Sequence, residues 1–137
     1  MLYTKYGIFS PLDMIRKPLT FISSSKRDLS QFPDEVKTNI GYALHQAQMG
    51  GKSEAAKPLK GFVGPGILEI IEDYSGDTYR GVYTVRFQGV VYVLHCFQKK
   101  SKRGIKTPQE DIELIKRRLK IAEEDYRITY SKEETKS

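Results

Sequence analysis

Eight cations in this chain stand where a fold could bring them together over one surface. Arg80 and Arg86 lie in the β-prone run Thr78–Phe87, an even number of positions apart, so strand alternation turns both to one face. Lys99, Lys100, Lys102, Arg103 and Lys106 follow the next β-prone run, and Lys60 precedes the run that carries Glu69. Such a set suits phosphate, because guanidinium and ammonium groups make charge-assisted contacts to non-bridging oxygens. It also suits cutting RNA without a metal ion. That reaction needs a base for the 2′-OH, positive charge for the pentacoordinate phosphorus, and an acid for the 5′-oxygen. A free lysine with a pKa of ~10.4 is a poor base at neutral pH. Neighbouring like charges lower that value, so a basic patch can be base as well as clamp. Glu69 is the rival base and His95 the rival acid.

Other chemistries find little support. His45 and His95 are far apart in sequence with no spaced partner, and Cys96 is the only cysteine. The carboxylates show no cluster of the kind a two-metal nuclease requires. The glycine-rich Gly61–Gly66 lacks the Lys-Ser/Thr of a phosphate-binding loop. No metal or cofactor is therefore expected. The net charge is +6, and residues 99–120 alone carry +6 against +2 before them and −2 after. A polyanion would be drawn to that stretch. There is no apolar run of the ~20 residues a membrane span needs, and residues 1–18 lack an apolar signal core. A cytoplasmic location away from membranes is expected.

The elements that must position these groups can be read in order. Residues 1–15 lack periodicity and form an extension; residues 16–124 form one α+β domain; residues 125–137 form a charged, fraying tail. Leu19–Ile22 predicts a first strand, and Ser25 with Asp28 a short helix from about 25 to 32. Val36, Ile40, Ala43, Leu44 and Ala47 mark one face of a second helix that Gly50-Gly51 ends. Ile67–Asp73, Thr78–Phe87 and Val90–Phe97 predict an antiparallel meander, its second turn a two-residue Gln88-Gly89 loop. Tyr74, Tyr92 and Phe97 offer rings on which bases could stack. Thr107, Pro108 and Glu110 form a capping signal for a last helix with Ile112, Ile115, Leu119 and Ala122 on its buried stripe. The order is β-α-α-β-β-β-α: a small, mainly antiparallel sheet with an αα-hairpin on one face and an open basic face opposite.

Several blocks carry a resemblance. Lys17–Val36, Ile40–Gly50, Lys57–Gly61, Leu68-Glu69-Ile70, Thr78–Val85 and Val91–Pro108, in that order, resemble the phage-derived branch of the RelE/HigB toxin superfamily. The YR dipeptide at Tyr79-Arg80 and the FQKK…KTP segment from Phe97 to Pro108 are its most telling parts. The resemblance implies a RelE-like fold and the toxin of a type II toxin-antitoxin system. It implies an mRNA endoribonuclease, associated with the ribosome and held inactive by a cognate antitoxin, often a helix-turn-helix protein. It makes Arg80 the phosphate-stabilising arginine, Lys99 and Lys100 the basic pair, and Glu69 the glutamate of the family's strand, with His95 near the site. Leu68 and Ile71 depart from that strand's pattern, in which an aromatic and an arginine flank the glutamate. Lys60, Arg86, Lys102, Arg103 and Lys106 would then bind RNA. The alternative reading is a non-catalytic RNA- or DNA-binding module using the same patch.

Overall fold

The computed structural model describes residues 16–61, 66–99 and 106–136. The chain runs β1 (Leu19–Phe21), α1 (Ser25–Ser30), α2 (Asp34–Gln48), β2 (Ala56–Pro58), β3 (Ile67–Tyr74), β4 (Asp77–Thr84), β5 (Val91–Lys99) and α3 (Gln109–Lys136). Five strands form one sheet in the order β1-β5-β4-β3-β2. β1 pairs with β5 in parallel; every other pairing is antiparallel. The fold class is α+β, as expected. The three-residue β2 is an addition to the expected order: Ala-Lys-Pro has little β propensity, and proline is tolerated there because β2 is an edge.

Residues directly opposite one another in a sheet share a face, so the register fixes what each face holds. One face carries Ile70, Tyr79, Tyr83, Val93 and Cys96 and packs against Val36, Ile40, Ala43, Leu44 and Ala47 of α2. Ile40 is fully buried, and its Cγ2 lies 3.2 Å from where a Cβ on Gly81 would sit. A Cβ at position 81 would require the Ile40 side chain to give way by a few tenths of an ångström. α2 ends where Gly50, at φ +87°, takes a left-handed conformation that costs glycine little.

The opposite face is not open. Ile112, Ile115, Leu119 and Ala122 of α3 pack on Ile67, Val82, Tyr92 and Leu94. The expectation of an uncovered basic surface fails because the apolar stripe of α3 needs a partner, and the α2 side of the sheet is already taken. Two further expectations give way. β4 ends at Thr84, so Arg86 sits in a six-residue connection, 85–90, rather than on the strand before a two-residue turn. α3 continues past Asp125 to Lys136. It is anchored where the sequence suggested fraying: Tyr92 Oη donates to Asp125 at 2.6 Å, and Tyr126 Oη to the Gln88 carbonyl at 2.9 Å. The Tyr126 ring lies 5.0 Å from Phe87 and 4.9 Å from Tyr130.

Ile40→Ala should lower unfolding stability by about 2–5 kcal/mol, the cost of a cavity in a core that cannot collapse freely. Ile121→Ala, at a half-exposed position on α3, should stay within about 0.5 kcal/mol. Urea denaturation of both variants measures the contrast.

Candidate functional site

A local irregularity sets the site. β4 and β5 pair as Val82↔His95 and then Tyr83↔Val93, so Leu94 is an extra residue, a β-bulge. The bulge changes parity. Leu94 and His95 both project toward α3, and Phe97 and Lys99 then fall on that face too, opposite Arg80 and Thr78. Glu69 and Ile71 join them from β3, opposite Val82 and Arg80, and Lys57 from β2, opposite Glu69. Glu69, Arg80, His95 and Lys99 thus share one face.

Arg80 is only 1% exposed. Its Nη1 donates to Glu69 Oε2 at 2.9 Å and to Thr107 Oγ1 at 3.1 Å, and Thr107 Oγ1 donates to the same carboxylate oxygen at 2.7 Å. The Thr107 hydroxyl, read from sequence as a helix cap, is committed to this pair. Arg80 Nε is buried with no hydrogen-bond partner among the described residues. In this conformation the arginine binds the protein itself.

Beside this node lies a cavity of about 530 Å³. Glu69 and Thr107 line it together with Pro58, Ile71 and Ile112, and four lysines, Lys57, Lys60, Lys106 and Lys116, contribute to its wall. Lys60 and Lys106 were expected here. Lys57, Lys116 and Thr107 were missed as site residues. The available signal was pairing: once β2 is placed on the edge, Lys57 falls directly opposite Glu69.

Lys99 is buried, and its pKa is lowered, chiefly by burial and then by the like charge of Arg80, with Glu69 opposing. The depression expected from like charges is present, but burial is its larger cause. His95 is also buried, and its pKa is lowered below the usual imidazole value, first by burial. Its Nε2 lies 2.8 Å from Asp111 Oδ1, and Arg118 Nη1 lies 3.5 Å from its Nδ1. A neutral ring protonated at Nε2 satisfies both contacts, donating to Asp111 and accepting from Arg118. Arg118 also donates to the Leu94 carbonyl and to Ser24 Oγ, both at 3.0 Å. This network ties α1, β5 and α3 together, and His95 is absent from the cavity wall.

Arg86 stands apart from the cavity, 3.5 Å from Glu123 on α3. Lys100, Lys102 and Arg103 lie outside the described residues. Of the expected stacking rings, Tyr92 is wholly buried, Phe97 stacks on His95 with centroids 4.5 Å apart, and Tyr74 is exposed. Among the described residues no group of three His, Cys, Asp or Glu side chains could hold a metal, and no helix is long and apolar enough to cross a membrane.

The family described as Phage derived protein Gp49-like (DUF891) matches residues 27–120, and the chain belongs to it. Among solved structures, a mutant of the Escherichia coli toxin RelE in the free state is similar, with 21% identity and a TM-score of 0.50. The match covers 77% of this chain and 96% of that one. A RelBE2 toxin–antitoxin complex from Mycobacterium tuberculosis matches at 18% identity and a TM-score of 0.43, covering 64% of this chain and 97% of that one. No curated protein sequence matches. The resemblance read from the sequence is borne out in family and in fold.

Removing Arg80 alone should strand a buried carboxylate, so Arg80→Met should cost about 3–5 kcal/mol. Adding Glu69→Leu should restore most of that loss, as measured by urea unfolding of the single and double variants. His95 gives a pH signature. Its folded pKa lies below its unfolded value of ~6.5, so its contribution is complete above that pH and is lost as pH falls toward the folded value. Thermal melts should show a stability decline below about pH 6.5 that His95→Gln flattens.

Proposed function

From membership of the Gp49-like family and a RelE-type fold, we propose that the chain is the toxin of a toxin-antitoxin system and cuts mRNA without a metal ion. The observation that carries this reading is a lysine-walled cavity beside the Arg80–Glu69–Thr107 node, with Lys99, buried on the same sheet face but outside the cavity wall, coupled electrostatically to Arg80 and Glu69. Lys99 is the candidate base, because a lysine whose pKa is lowered holds more of the neutral, proton-accepting amine than a free lysine does. Lys57, Lys60, Lys106 and Lys116 meet the phosphate, and an ammonium among them protonates the departing 5′-oxygen. Bond making and breaking then leave a 2′,3′-cyclic phosphate on one fragment and a 5′-hydroxyl on the other.

Arg80 takes a supporting part in this scheme. Its charge depresses the Lys99 pKa and its guanidinium holds Glu69, while its burial keeps it from phosphate in the present conformation. In this reading Lys100, Lys102, Arg103 and Arg86 also contact the RNA. A cognate antitoxin, a helix-turn-helix protein in this reading, holds the activity in check, and the ribosome presents the mRNA in the cytoplasm. A binding-only module is the second reading, favoured by one observation: the arginine expected to stabilise the phosphorus is enclosed by the protein.

Expression without the antitoxin should arrest growth, and Lys99→Ala should relieve the arrest. In vitro, with RNA in the presence and absence of ribosomes, Lys99→Ala should slow cleavage by on the order of 10²–10⁴. End-group analysis should find cyclic phosphates. Intact RNA after long incubation with folded wild-type protein, alongside salt-sensitive binding, would establish the binding-only reading instead.

A further inference from the structure

The cavity beside Glu69 has an internal polarity that the cleavage scheme leaves unused. Its lysines give it a positive wall, Pro58, Ile71 and Ile112 give it apolar surface, and Glu69 is its one acidic side chain among the described residues. Glu69 is only 6% exposed. Its Oε2 accepts from both Arg80 and Thr107, and its Oε1 has no hydrogen-bond partner among the described residues. A ligand N–H that reaches this oxygen from the cavity makes a charge-assisted hydrogen bond to it.

We propose that this cavity seats one unstacked nucleobase and that Glu69 Oε1 selects a base bearing an amino group, guanine above all, against uracil. The inference rests on the reading of the chain as an RNA-binding protein and specifies which nucleotide it holds. A volume of about 530 Å³ falls within the range of small-ligand sites, roughly 300–1,000 Å³. A flat ring has apolar contacts for its faces, and the lysines receive its phosphate. The ligand must therefore be anionic at one end and a hydrogen-bond donor at the other, which describes a nucleotide rather than a free anion or a cation.

Base edges differ in what they offer Glu69. Guanine presents N1–H and the N2 amino group side by side, so an anionic oxygen meets two donors. Adenine and cytosine each present an amino group beside a ring-nitrogen acceptor. Uracil presents one N–H flanked by two carbonyl oxygens, which repel the carboxylate. The order of preference is guanine, then adenine and cytosine, then uracil. Arg80 and Thr107 make the selection firm: both hold Oε2, so the carboxylate cannot turn away from an unsuitable edge without breaking two hydrogen bonds.

Calorimetric titration of the full chain with 5′-GMP and 5′-UMP tests this. GMP should bind roughly tenfold or more tightly, the scale of a charge-assisted hydrogen bond gained against one lost. Ile71→Trp adds bulk from the half-buried β3 position that lines the cavity. It should abolish GMP binding while the protein stays folded by circular dichroism. Glu69→Gln should shrink the GMP-to-UMP ratio. Affinities for GMP and UMP within twofold in the wild type, no GMP binding at millimolar concentration, or unaltered GMP binding by folded Ile71→Trp would each overturn the proposal. RNA cleavage measured in parallel separates the two readings. Cleavage without base discrimination sinks the pocket and keeps the nuclease; discrimination in a protein that cuts no RNA does the reverse.

Discussion

The ion pair between Arg80 and Glu69 is the constraint around which the functional half of this protein is organised. Two charged side chains have been taken almost wholly out of water, at 2% and 8% side-chain exposure. Desolvating them is expensive, and their attraction offsets it only with good geometry and additional hydrogen bonds. Thr107 supplies those bonds as donor to one partner and acceptor from the other. One hydroxyl thus joins β3, β4 and the start of α3. That junction fixes the start of α3 and part of the cavity wall, and Arg80 adds to the field at Lys99.

The bulge in β5 is the second determinant, and it acts through parity alone. In an unbroken strand alternation from Tyr92 and Leu94 would carry Cys96 to the α3 face and send Phe97 and Lys99 to the other. One extra residue reverses this, so the thiol joins the core under α2, where burial pushes it up to about 12, and the lysine joins Arg80. A deletion at Leu94 would remove the bulge and, with the pairing on either side of it kept, leave Lys99 facing the site.

Much of this was legible in the sequence because it depends on local pattern. The stripes of α2 and α3 and the antiparallel meander followed from periodicity, and the cations around Lys60 and Lys106 from charge. What was hidden depends on pairing across the sheet. Nothing in Val91–Lys99 marks where the bulge falls, so the face to which His95 and Lys99 belong could not be read. Nothing in Ala56–Pro58 marks a strand, so Lys57 was passed over. Thr107 followed by Pro108 is a good helix-start signal, and that local meaning concealed a tertiary one. Burial of Arg80 was equally invisible, since the open face assumed for it depended on where α3 would dock.

The edge strand β2 has a consequence for how a chain of this kind survives in isolation. An exposed strand edge is a template for pairing with another molecule, and natural sheets blunt such edges with shortness, lysine and proline. β2 has all three: it is three residues long, and Lys57 and Pro58 make up most of it. The far edge, β1, is equally brief. Since Lys57 and Pro58 also line the cavity, the same two side chains serve ligand contact and colloidal solubility. Evolution at this margin is therefore doubly restrained: remodelling the cavity toward a different ligand by replacing either residue also removes a guard against self-association.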